Sequence, residues 1–126
     1  MDDMYREIII DHYKNPRNFG KIINPDIFRR DSNPLCGDEV ELFIKLDGNK
    51  IKKVGFEGKG CAICMASTSM LTEEILGKTL EDVLDIQRED MLDLVGVNLT
   101  ASRVKCAMLG LVCAKKGIVE FEEEKK

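Results

Sequence analysis

An α+β fold, a small antiparallel sheet with helices packed on one face, is what three features of the 126-residue chain predict. Val40, Leu42, Ile44 and Leu46 alternate strictly, and a second apolar run, Ile51, Val54 and Phe56, follows a "DGN" turn, which is the pattern of a β-hairpin with one buried face. After "GKG" the pattern changes to small and apolar residues, "CAICMASTSMLTEEILG", the composition of a buried helix. The strands precede these helices without βαβ alternation, which excludes a doubly wound parallel sheet.

The remaining elements follow in chain order. Residues 2 to about 13 place Met4 and Ile8, with Tyr5 and Ile9 as further candidates, at helical spacing, and "KNPRNFG" ends that helix. Residues 14 to 37 hold all three prolines and read as irregular chain wrapping over the fold, with an edge strand near Asp26 to Arg30. Gly77 closes the buried helix. Thr79, with Asp82 three residues on, caps a short helix "LEDVLDI", and "REDMLDLVG" forms another turn or two before Gly96. Ser102 is placed to cap a last long helix, and the charged "EFEEEKK" end, from about residue 119, is expected to be solvated and frayed. Residues 1–126 form one domain.

A net charge of −4, with no basic run interleaved with aromatics, argues against a nucleic-acid partner. The start "MDDMYREIIIDHYKNPRN" is acidic where a signal peptide is basic, and no segment approaches the length of a membrane span, so the expected setting is cytoplasmic. Five cysteines, an odd number without an export signal, suit metal, sulfur or redox chemistry better than a disulfide framework.

In "RDSNPLCGDEVELFIKL" a turn explains Asn33, Pro34 and Gly37 and leaves Cys36 and Asp38 unexplained. Cys36, Cys61 and Cys106 each stand at an element boundary, and helix N-termini favour the thiolate. Were these three to converge with Asp38, they would make a four-ligand site. Cys113 follows Cys106 by seven residues, about 10 Å along one helix at about 1.5 Å per residue, too far for one small site with bonds of about 2.3 Å, so it is assigned to core packing. Cys64 forms C-A-I-C with Cys61, a dithiol spacing, but every proline precedes Cys61 and the βαβ order of a thioredoxin-like fold is missing. The single histidine, His12, is read as a surface or helix-end residue rather than a ligand. Lys105 is either a cation that lowers a neighbouring thiol pKa or a solvated lysine at the helix start.

"DHYKNPRN", "NPLCGDE", "GKGCAICMASTSML" and "RVKCA" together resemble the U-type iron–sulfur assembly proteins, the IscU, NifU N-terminal domain and SufU group, from about Tyr5 to Gly117. The resemblance implies a compact α+β fold whose ligand loops meet at one end, with Cys36, Asp38, Cys61 and Cys106 as the site and Cys64 and Cys113 outside it. It implies a scaffold rather than an enzyme, holding a transient [2Fe–2S] cluster, supplied with sulfur by a cysteine desulfurase and donating to apo iron–sulfur acceptor proteins, as a monomer or a cluster-bridged dimer. The alternative it carries is a SufU-like, Zn²⁺-dependent sulfur acceptor or sulfurtransferase. Lys105 stands where IscU-type members have histidine, as in the SufU branch, yet the 41 residues between Cys64 and Cys106 are few for that branch's insertion. "NLTAS" replaces the proline-rich stretch by which a dedicated chaperone recognises IscU-type members.

Overall fold

The computed structural model describes residues 3–34 and 36–125, with the side chains of Asp3 and Tyr5 outside the description. The order is α1 (Asp3–Lys14), β1 (Ile27–Asn33), β2 (Asp38–Asp47), β3 (Lys50–Lys59), α2 (Ala62–Ile75), α3 (Leu80–Leu84), α4 (Arg88–Val95) and α5 (Ala101–Glu124). The strands form one antiparallel sheet in the order β1-β2-β3. Its central register pairs Leu42 with Phe56 and Ile44 with Val54, so the alternating apolar residues of the hairpin share one face. The "DGN" turn closes that hairpin through Gly48 at φ 64°.

Val40, Leu42, Ile44 and Phe56 are buried on that face beneath α2 and α5. The outer face is crossed by the irregular chain between α1 and β1. Gly20 donates its N–H to Phe56 O at 2.7 Å, and Phe56 donates to Asn18 O at 3.0 Å, so the wrap is held through the main chain. A ring pair, Phe28 and Phe43 at 5.1 Å, covers the same side. The edge strand β1 extends beyond the predicted Asp26–Arg30, because its pairing with β2 continues to Asn33 opposite Asp38.

α2 is the central helix, buried from Cys64 through Thr72 and touching α1, α4, α5 and β3. It crosses α5 closely at Gly110, where a Cβ would lie 2.8 Å from Thr68 Oγ1. That crossing lies one turn beyond Cys64 on α2 and one turn beyond Cys106 on α5, so it sets the two cysteine-bearing helix starts side by side. The α3 cap is the predicted one: Asp82 N–H donates to Thr79 Oγ1 at 3.1 Å and Thr79 N–H returns to Asp82 Oδ2 at 3.2 Å.

Four expectations are corrected. Among the described side chains of α1, which do not include the expected Tyr5, Ile9 and His12 are buried while Met4 and Ile8 are exposed. His12 is a helix-end residue but not a surface one: it is 7% exposed, and its Nδ1 is hydrogen-bonded with Ser69 Oγ at 2.7 Å. The cap of α5 is Thr100 rather than Ser102, with the helix starting at Ala101. The charged end is helical, with α5 continuing to Glu124: Ile118 is buried, Phe121 packs against the core and Glu120 pairs with Arg29 at 2.7 Å. No helix among the described residues is long and apolar enough to cross a membrane.

Candidate metal centre

Cys36 lies in the turn between β1 and β2. The Cys36 and Gly37 N–H groups both donate to Asn33 O, at 3.1 and 2.9 Å, and Gly37 takes φ 72°, a left-handed conformation that glycine adopts without a Cβ clash. This turn leaves the Cys36 side chain exposed and turns the chain so that Asp38, the first residue of β2, is fully buried at 0% exposure. Asp38 Oδ1 accepts the backbone N–H of Cys61 at 3.0 Å. Its Oδ2 is buried with no hydrogen-bond partner. Gly60 makes the approach possible, since a Cβ there would sit 2.5 Å from Asp38 Oδ1.

Cys61 is the N-cap of α2, half-buried, its sulfur accepting the Cys64 N–H at 3.4 Å. Cys106 lies in the second turn of α5 at 1% exposure, its thiol directed to Ser102 O at 3.7 Å. Donor atoms of Cys36, Asp38 and Cys106 all lie within 4.8 Å of one another. The Cys61 sulfur is not among the donor atoms gathered within that distance; Cys61 borders the group through its N–H, bonded to Asp38. Burial pushes the Cys106 thiol well above the ordinary range, and the neighbouring Asp38 and Cys61 push it the same way. Acidic groups gathered around an orphaned carboxylate oxygen are what a cation would relieve. The structure gathers two sulfurs and one carboxylate; with the Cys61 sulfur added, such a set would suit zinc or an iron–sulfur centre.

Cys64 and Cys113 are both buried. Cys64 is buried behind Cys61, and burial, with the charges of Asp38 and Cys61, pushes its thiol up to about 12. Cys113 lies under the sheet with its thiol directed at Arg29 O, 3.3 Å away, and burial pushes it up to about 12.

The cation beside the thiols is one that sequence reasoning passed over. The Arg103 guanidinium faces Cys61 and Cys106, and their charges hold its pKa up. Helical spacing was the available signal: residue 103 is three before Cys106 and shares its face, whereas Lys105, one before it, is exposed a third of a turn away.

Comparison with known proteins agrees with this architecture. The NifU-like N terminal domain family matches residues 4–126. The zinc-dependent sulfurtransferase SufU of Bacillus subtilis (strain 168) is 40% identical over 139 aligned positions, covering 97% of this chain and 94% of that protein. That alignment is longer than the chain itself, so the relative carries residues without a counterpart here. The iron-sulfur cluster assembly scaffold protein IscU 1 of Archaeoglobus fulgidus is 36% identical over 118 positions, covering 94% of this chain and 76% of that protein. A solved structure from Fervidobacterium islandicum AW-1, described as an iron-sulfur cluster assembly scaffold for the SUF system, superposes with TM-score 0.76 at 32% identity, covering 94% of this chain and 99% of the other. The N-terminal NifU-like protein of Brucella abortus shares the fold, with TM-score 0.78 at 23% identity over 98% of this chain and 97% of the other. By sequence and by fold, this chain belongs to the NifU-like N-terminal domain family.

Proposed function

We propose that this chain is a scaffold, not an enzyme, on which a transient [2Fe–2S] cluster is assembled from iron and desulfurase-derived sulfur and then passed to apo iron–sulfur proteins. The observation that carries this reading is the buried Asp38 carboxylate, one of whose oxygens has no hydrogen-bond partner, beside the Cys36 and Cys106 sulfurs. An unsatisfied buried acceptor costs about 1–3 kcal/mol, which a coordinated metal would offset. Cys36, Asp38, Cys61 and Cys106 are the proposed ligands. Thiolates bind iron firmly, and the harder carboxylate exchanges more readily, so one corner of the site is weak. A weak corner suits a protein that gives its cargo away. Four donors in one chain are enough for one cluster, which favours the monomer over a cluster-bridged dimer, and the cytoplasm is the proposed setting. Cysteine desulfurase is the proposed sulfur source, and "NLTAS" offers no proline-rich segment for a dedicated chaperone.

The 40% identity to a zinc-dependent sulfurtransferase favours a second reading, in which the same four groups bind Zn²⁺ and a cysteine released from it accepts persulfide sulfur. Visible spectroscopy with iron, sulfide and zinc analysis of protein purified without oxygen separates the two. Cysteine-to-iron charge-transfer bands with equal iron and sulfide are expected; one zinc and a featureless spectrum would favour the second reading. Changing Cys36, Cys61 or Cys106 to serine should abolish stoichiometric metal in either case, and full retention in Cys61→Ser would remove that ligand assignment.

A further inference from the structure

Only one member of the C-A-I-C pair belongs to the proposed ligand set. Cys61, the N-cap, has extended backbone (φ −70°, ψ 165°), and its half-buried sulfur lies against the main chain of Cys64, whose N–H donates to it at 3.4 Å. Cys64 is enclosed behind it, and its carbonyl accepts Thr68 Oγ1 at 2.8 Å and Ser67 Oγ at 3.2 Å. These bonds fix the inner residue's backbone in the first turn of α2, with its own N–H on the outer sulfur. An accessible outer thiol with an inner thiol three residues on, at a helix start, is an arrangement that supports thiol–disulfide exchange.

We propose that Cys64 discharges sulfane sulfur from Cys61 as sulfide. The inference rests on the reading above in taking Cys61 to be a thiol that receives such sulfur. With Cys61 in the persulfide form, Cys61–S–SH, the Cys64 sulfur attacks the inner sulfur of that persulfide. The Cys61–Cys64 bond forms as the persulfide S–S bond breaks. The terminal sulfur leaves with the electron pair, takes up the proton lost by Cys64, and departs as H₂S. In formal count each cysteine sulfur gives one electron and the sulfane sulfur gains two, so the step needs no outside reductant. A dithiol reductant then returns the pair to thiols. Cluster assembly consumes sulfide rather than sulfane sulfur, and the pair supplies both electrons from within the chain.

The test uses full-length, metal-free protein loaded anaerobically with inorganic polysulfide and then desalted. The parent should contain a Cys61–Cys64 disulfide by peptide mapping and hold about one fewer cyanolysable sulfur per chain than Cys64→Ser. Cys113→Ser, which also removes a buried thiol, should match the parent. Equal sulfane sulfur in parent and Cys64→Ser overturns the proposal. So does a loaded parent in which Cys61 and Cys64 are not joined, a readout independent of how any variant folds. A second arm replaces polysulfide with a cysteine desulfurase and cysteine. A parent that discharges sulfur from polysulfide but receives none from the desulfurase supports this step while refuting the proposed sulfur source.

Discussion

Asp38 and Cys61 are joined through the main chain: Asp38 Oδ1 accepts the Cys61 N–H at 3.0 Å while Oδ2 of the same carboxylate stays buried and unpartnered. One oxygen anchors the start of α2 against the start of β2. The other is the oxygen assigned to the proposed metal or cluster.

Arg103 offsets negative charge at this group, since its guanidinium faces Cys61 and Cys106. A site of three thiolates and a carboxylate carries excess negative charge even when loaded, so Arg103→Ala should shorten the lifetime of bound cluster or weaken bound zinc. The effect should be a few-fold, because the side chain is exposed and screened by solvent. Arg103→Lys should recover part of it, and chelator-challenge kinetics on the three proteins give the comparison.

Cys113 packs the α5–sheet interface, with its sulfur directed at Arg29 O and lying 4.0 Å from Val40 O. Cys113→Ser should leave metal content unchanged and lower stability by about 1 kcal/mol, the scale for exchanging a buried thiol for a more polar hydroxyl that still finds an acceptor. Urea unfolding beside metal analysis checks both halves.

His12 links stability to pH. Burial, reinforced by the Arg17 charge and opposed by Glu73 and Asp11, lowers its pKa below the ordinary 6.5. Its Nδ1 is hydrogen-bonded with Ser69 Oγ at 2.7 Å, and its Nε2 lies 3.6 Å from Glu73 Oε1. A histidine whose folded pKa is depressed adds no penalty above 6.5; as pH falls below 6.5 the unfolded chain takes up a proton that the folded chain resists, and stability declines until the folded pKa is passed. Urea midpoints measured downward from pH 7 should therefore fall for the parent and fall less for His12→Gln. Equal slopes would show that His12 titrates alike in both states.

These positions also mark what could be read from the sequence. The hairpin, the Thr79 cap and the buried α2 were legible because each is written in a local pattern: alternation of two, a capping pair three apart, a run of small apolar residues. His12 was not, because the residue that buries it, Ser69, is 57 positions away. The end of α5 reads as a solvated charge run until Arg29, on β1, provides the partner for Glu120. Cys36, Asp38 and Cys106 could be nominated from element boundaries and motif resemblance. The orphaned oxygen could not, since it depends on Gly60 allowing the chain to pass against the Asp38 carboxylate.

The most direct test of the central claim, that the free oxygen of Asp38 makes the site one from which cargo departs, is the rate of cluster transfer to an apo-ferredoxin from the parent and from Asp38→Ala. The account predicts that Asp38→Ala still assembles a cluster, on three thiolates and an external ligand, and donates it more slowly, because the readily exchanged carboxylate corner is gone. Unchanged cluster lifetime and unchanged transfer would contradict it, and would leave Asp38 as the buried anchor of the Cys61 N–H alone.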